Sequence, residues 1–175
     1  MESVNIKTLF SDEALAIAEM HVAKFPEGKS KSAIIAILHL AQAELGGWLS
    51  PEVMDYVASI LKIEPIEVYE VATFYSQYYT EPVGKYVLEV CHTGPCALRG
   101  ADEMVSYLEK KLGIKEGETT ADGLFTLKGV ECLASCGSAP MMQCGLNYHE
   151  NLTEQSVDVL LDEFKKESKI RRPFC

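Results

Sequence analysis

Basic residues are scarce in this chain: 16 Lys and Arg stand against 26 Asp and Glu, a formal net charge of −10. Binding to nucleic acid through phosphates needs a basic stripe that displaces counterions, and the sequence has none. Long apolar runs are missing too. The longest, Ala33 to Leu38, is soon interrupted by His39 and Gln42, far short of the roughly 20 residues that span a bilayer. The opening MESVNIKTLFSDEALA lacks the basic and apolar regions of a secretory signal, and is too acidic and arginine-poor for a mitochondrial transit peptide. A soluble, cytoplasmic protein is expected, with any membrane connection made through partners. Nucleotide loops are absent as well. No G-x-G-x-x-G follows a strand and no Walker loop occurs, so a nucleotide site is not expected on this chain.

What the chain does have is six cysteines. In a reducing compartment these are metal ligands or catalytic thiols more often than disulfides. Four fall in two close pairs: Cys91 and Cys96 in CHTGPC, Cys132 and Cys136 in CLASC. Two pairs suit a [2Fe–2S] cluster, in which each iron takes two bridging sulfides and two thiolates. Each short loop can wrap one iron, and the long gap lets the loops close from two sides. The residues between are small or flexible (Thr93, Gly94 and Pro95; Ala134 and Ser135, then Gly137 and Ser138) and leave room for amide N–H groups to approach the sulfurs. Cys96 is expected at a helix start, with Arg99 one turn on as a further positive charge.

Other thiol chemistries compete. Four thiolates in two pairs also suit structural zinc, and spacing alone leaves that open. Disulfide exchange normally uses C-x-x-C, which neither pair has. A plant-type ferredoxin would need a cysteine where Arg99 stands. A Rieske centre needs two histidines in place of cysteines, so His92 is expected beside the site or exposed. Cys144 is expected as a packed core thiol near enough to replace a lost ligand, and Cys175 as solvent-facing on a loose basic tail.

Periodicity divides the chain near Glu81-Pro82-Val83-Gly84. Before it, four helices are predicted: one after Ser11 with Leu15, Ala18, Val22 and Phe25 on its face; Ala33 to Leu45; Pro51 to about Leu61, capped by Ser50; and one opening at Pro65 with Val68, Val71 and Phe74 on one side. After it, strands are predicted at Tyr86–Val90, Leu124–Val130 and Pro140–Cys144, the last hairpinned to Tyr148 through Gly145-Leu146-Asn147. Helices are predicted at Ala97–Leu112 and after Thr153, giving β-α-β-β-α with both cysteine pairs just past strand ends. The fold class is therefore α+β: a helical bundle over residues 1–82 and an α/β domain over 83–175.

With VATFY (Val71 to Tyr75), Cys96-x-x-Arg99-Gly100, Glu131-Cys132-Leu133, Ala139-Pro140-Met141 and Glu150-Asn151-Leu152-Thr153 beside the cysteines, the chain resembles a known family. This is the thioredoxin-like [2Fe–2S] subunit of the peripheral arm of respiratory complex I, NADH:quinone oxidoreductase. The resemblance implies a thioredoxin-like second domain and one [2Fe–2S] cluster held by Cys91, Cys96, Cys132 and Cys136, the first pair on one iron and the second on the other. It implies a flavoprotein partner that binds FMN and NADH, other peripheral-arm partners, docking through residues 1–82, and a place at the inner face of the cell membrane through the complex. The chain would take one electron from reduced flavin while having no substrate site of its own. His92 and Cys144 stand where that family leads one to expect other residues. Similar subunits serve NAD-linked hydrogenases and formate dehydrogenases; the ATFY and ENLT segments look closer to complex I. A zinc-binding docking module is the reading from a different class.

Overall fold

The computed structural model describes residues 9–167, and the chain divides into two compact units, Met1–Pro82 and Val83–Cys175. The expectation for the 168–175 tail, Cys175 included, lies outside the described residues.

All four helices expected in the first unit form. Helix α1, Asp12–Val22, begins where the Ser11 hydroxyl accepts a hydrogen bond from the Ala14 N–H at 3.2 Å, satisfying one orphan donor of the first turn. A 3-10 turn at Ser30–Ala33 leads into α2, Ile34–Glu44. Helix α3, Pro51–Leu61, is capped by Ser50, which accepts from the Val53 N–H at 3.2 Å. Helix α4, Pro65–Phe74, opens on reciprocal bonds between Glu64 and Glu67. Ile37, Leu38, Leu49, Val57 and Leu61 are sealed from water in this unit's core, each such side chain contributing about 1.5–3 kcal/mol on burial.

Two face assignments fail there. Phe25 lies past the end of α1, in the turn before Pro26, and is 38% exposed. Phe74 is 79% exposed. The buried side of α4 is set by Val68 and Ala72, and at 3.6 residues per turn position 74 points about 120° away from Val68.

The second unit is a four-stranded mixed sheet: β1 Tyr86–Cys91, β2 Phe125–Val130, β3 Met142–Cys144 and β4 Asn147–His149, in the order β2-β1-β3-β4. Strand β1 runs parallel to β2 and antiparallel to β3, and paired on both edges it is buried along its whole length. Its residues Tyr86, Leu88 and Val90 share a core with Met104 and Leu108 and with Val157, Leu161 and Phe164. The first two belong to α6, Ala101–Leu112, and the other three to α7, Glu154–Glu167. Thr153 and Ser156 exchange hydrogen bonds at the start of α7, as the sequence predicts. Tyr107 and Lys111 of α6 both bind Asp158 of α7, at 2.7 and 2.8 Å.

Three local differences bear on the site. The helix expected over Ala97–Leu112 is two: α5, Pro95–Leu98, and α6, separated at Arg99-Gly100, where Gly100 takes φ +94° and breaks the right-handed run. Cys96 therefore lies inside a four-residue helical turn rather than at the start of the longer helix, which begins only at Ala101. Strand β3 starts at Met142 rather than Pro140, because proline brings no N–H to the ladder. Asn147 pairs with Cys144, leaving Gly145-Leu146 as a two-residue hairpin turn.

Candidate metal centre

Parallel pairing of β1 with β2 builds this site. Their register sets Cys91 beside Val130, the last residue of β2. Both strands thus run out at one edge of the sheet, and the CHTGPC and CLASC segments leave from adjacent points. Open α/β sheets place ligands at such carboxyl ends. The Glu131 carbonyl links the two segments: it accepts the Thr93 hydroxyl hydrogen bond and lies 3.8 Å from the Cys91 thiol as acceptor. The His92 N–H donates to the Val130 carbonyl at 3.2 Å, and the Cys91 N–H to the Met141 carbonyl at 3.2 Å.

Within the first motif, Gly94 takes φ +52° and ψ −122°, a conformation that favours glycine. The Cys96 N–H then closes onto the Thr93 carbonyl at 3.2 Å, swinging the second thiol back to the first. Cys91 and Cys96, 5% and 1% exposed, pack in a small cluster with Ala101, Ala139 and Met141. The Cys96 thiol is pushed up to about 11, chiefly by burial, then by its hydrogen bond with Cys91 and by the charges of Cys91 and Cys136, with the Met141 backbone opposing. Without a cation this pocket keeps a proton on sulfur; ligation by a metal reverses that preference.

The second motif is open. Cys132 and Cys136 are exposed, Cys136 heading a 3-10 turn, Cys136–Ser138, that packs against α5. Ala134 stands at φ +58°, left-handed backbone without a glycine, a strain that clusters at functional sites. Its N–H donates to the Cys132 sulfur at 3.3 Å, the kind of amide-to-sulfur bond by which a protein tunes a cluster. From beyond β3, Tyr148 donates its hydroxyl to the Leu133 carbonyl at 2.8 Å and the Asn151 N–H donates to the Ser138 carbonyl at 2.7 Å.

The structure thus brings Cys91 and Cys96 together, places Cys136 within electrostatic reach of Cys96, and sets Cys132 on the exposed turn beside Ala134. Among the described residues, no three His, Cys, Asp or Glu side chains converge on one coordination point. His92 is half-buried and Arg99 is exposed. Cys144 is buried as expected, yet it is not placed to replace a ligand. Strand β3 runs antiparallel to β1, so it carries Cys144 opposite Leu88, away from the Cys91 end. Sequence reasoning passed over two features here. One is the left-handed Ala134, which no residue type announces. The other is Glu150, whose carboxylate accepts hydrogen bonds from Ser135 and Ser138 at 2.5 Å each and is held below the usual carboxylate range by them.

The donor set, soft thiolates in two pairs with an amide donor at the end of the sheet, fits an iron–sulfur cluster. The chain belongs to the thioredoxin-like [2Fe–2S] ferredoxin family, whose model matches residues 18–165. Among its relatives is an NADH-quinone oxidoreductase subunit from Rickettsia felis, 44% identical over 160 residues that cover 91% of this chain and 96% of the relative. The counterpart from Rickettsia typhi is 42% identical over 163 residues, covering 93% of this chain and 96% of that one. The mitochondrial NADH dehydrogenase [ubiquinone] flavoprotein 2 of Dictyostelium discoideum is 44% identical over 156 residues, covering 89% of this chain and 63% of that one. In fold, the chain is similar to part of an NAD+-reducing [NiFe]-hydrogenase in its air-oxidized state, with a TM-score of 0.67 at 18% identity, over 84% of this chain and 25% of that one.

Proposed function

We propose that Cys91 and Cys96 hold one iron and Cys132 and Cys136 the other iron of a single [2Fe–2S] cluster. On this reading the chain is the one-electron carrier of an NADH–quinone oxidoreductase, beside a flavoprotein that binds FMN and NADH. The observation that carries it is the joint ending of β1 and β2, which delivers one buried and one exposed cysteine pair to the same sheet edge. Each iron of a binuclear cluster needs only two protein thiolates, whereas tetrahedral zinc needs three or four donors on one centre. Near-complete coverage of the two Rickettsia relatives at above 40% identity supports the host complex. Similarity to the hydrogenase at 18% identity speaks for the fold alone.

When bound, the cluster supplies a site that accepts and returns one electron without transfer of a proton or a bond. The protein's own part is positional. The buried pair, walled by Ala101, Ala139 and Met141, excludes water from one side. The exposed pair leaves the other side open to a partner, and Leu98, two residues after Cys96, is 89% exposed on the first loop. Residues 83–175 are the cluster domain, and residues 1–82, with Ile66 and Phe74 exposed on α4 and Tyr75 exposed just past its end, are the docking region. No helix among the described residues is long and apolar enough to cross a membrane. The chain then sits at the cytoplasmic face of the cell membrane through the complex.

Anaerobic purification with iron and sulfide assay, and EPR before and after dithionite, tests this. Two irons and two sulfides per chain, with a rhombic signal only on reduction, are expected. Zinc without iron, in protein that does not respond to reconstitution, would overturn the carrier in favour of a structural module.

A further inference from the structure

The loop carrying Cys136 is held by a carboxylate from elsewhere in the chain. Ser135 and Ser138 bracket the Cys136–Ser138 turn, and both hydroxyls donate to the same oxygen, Oε1 of Glu150, at 2.5 Å. The two hydroxyl oxygens are 2.7 Å apart, and the Ser135 carbonyl, 3.1 Å from the Ser138 oxygen, is the longer alternative acceptor for that hydroxyl's single proton. The next residue, Asn151, binds the Ser138 carbonyl through its N–H. Hydrogen bonds to a charged acceptor are about twice as strong as neutral ones, so this bridge ties an otherwise exposed loop to the segment after β4. It also sets a full negative charge beside the exposed cysteine pair, where Arg99 and His92 belong to the other motif.

We infer that Glu150 is a positioning residue for the cluster: it fixes the Cys136 loop through Ser135 and Ser138, and its charge lowers the cluster's reduction potential. The inference rests on the four-cysteine reading above. Reduction adds an electron to a site whose Cys136 stands between the two serines that hold this carboxylate, so the carboxylate opposes it. Removing the charge makes reduction easier. Glu150→Gln separates the two parts of the role, because its amide oxygen can still accept both hydroxyls.

The test uses the full chain purified anaerobically, with iron and sulfide counted first. A wild-type protein lacking the binuclear cluster would bring down the four-cysteine reading itself, before Glu150 is reached. Given a loaded wild type, EPR-monitored redox titration of Glu150→Gln is expected to show an upward shift in midpoint potential with iron content unchanged. Glu150→Ala is expected to shift the potential upward too and to lose iron faster to a chelator. Asp122→Asn serves as the control. It is an exposed carboxylate just before Phe125, which pairs with Tyr86 at the opposite end of β1 and β2 from the cysteines, and it is expected to leave the potential where it was. A fully loaded Glu150→Gln protein with the wild-type potential would overturn the inference, as would an equal shift in Asp122→Asn.

Discussion

The two cysteine pairs differ in burial, and this asymmetry sets up a measurable contrast between Cys96→Ala and Cys136→Ala. Cys96 is 1% exposed, among Cys91, Ala101, Ala139 and Met141. Deleting its sulfur removes about one methylene's worth of buried apolar volume and leaves a partial cavity, for a total of about 1–2 kcal/mol. Cys136 is exposed, and an exposed substitution away from caps and networks stays within about 0.5 kcal/mol. For a cooperative unit of 60–100 residues, 1 kcal/mol moves the melting temperature by about 4–8 °C. Metal-free, reduced Cys96→Ala should therefore melt several degrees below wild type, while metal-free Cys136→Ala should match it. Iron and EPR provide the second reading: both variants should fail to hold a stable binuclear cluster, since Cys144 faces Leu88 rather than the site. In metal-free wild type, alkylation should label Cys132 and Cys136 well before Cys96, because the thiolate is the nucleophile and Cys96 is both buried and pushed up to about 11. Equal melting temperatures for the two metal-free variants would refute the burial argument. A full cluster in either would refute the ligand assignment.

Gly84 is buried where a Cβ would lie 2.8 Å from the Phe125 carbonyl carbon and 3.0 Å from its nitrogen. Gly84→Ala must push β2 away from its start, costing about 1–3 kcal/mol, and thermal melting should register the loss. Because the cysteines sit at the other end of β1 and β2, iron content at low temperature should stay at the wild-type level. His149 gives a pH dependence. Its Nε2 is buried without a partner, and burial holds its pKa below the ordinary histidine value, with Glu163 opposing. A histidine with a depressed folded pKa is neutral in both states above about pH 6.5. As pH falls through the interval down to the depressed value, the unfolded chain takes up the proton first, so stability is lost. His149→Phe, which keeps the edge contact with Phe164, should flatten the pH profile of melting between about pH 6.5 and 5; an unchanged slope would show that another group carries it.

Helix positions were well legible because their signals are local. Ser11, Ser50-Pro51, Pro65 and Thr153 announce first turns through hydrogen-bonding and φ constraints that act within four residues, and each helix begins where they stand. Strands β1 and β2 were legible for the same reason, as short apolar runs bounded by glycine and charge. What failed depends on facing and on backbone hand. Phe74 reads as core by spacing, yet the actual packing face of α4 runs through Val68 and Ala72. Gly100 stands within a helical pattern, and only its φ of +94° reveals a break.

The site divides along the same line. Spacing pointed to the four cysteines, and their adjacency follows from the parallel register that sets Cys91 beside Val130, a long-range pairing that no local pattern contains. Burial of one pair and exposure of the other follow from that pairing too. Cys91 ends a strand paired on both edges, whereas Cys132 and Cys136 lie on the loop past β2, an edge strand. Sheet topology thus sets the direction in which the centre opens, and the left-handed Ala134 together with Glu150 shapes the half that a partner meets. Residue types specify the thiolate chemistry of this centre, and strand order specifies its access.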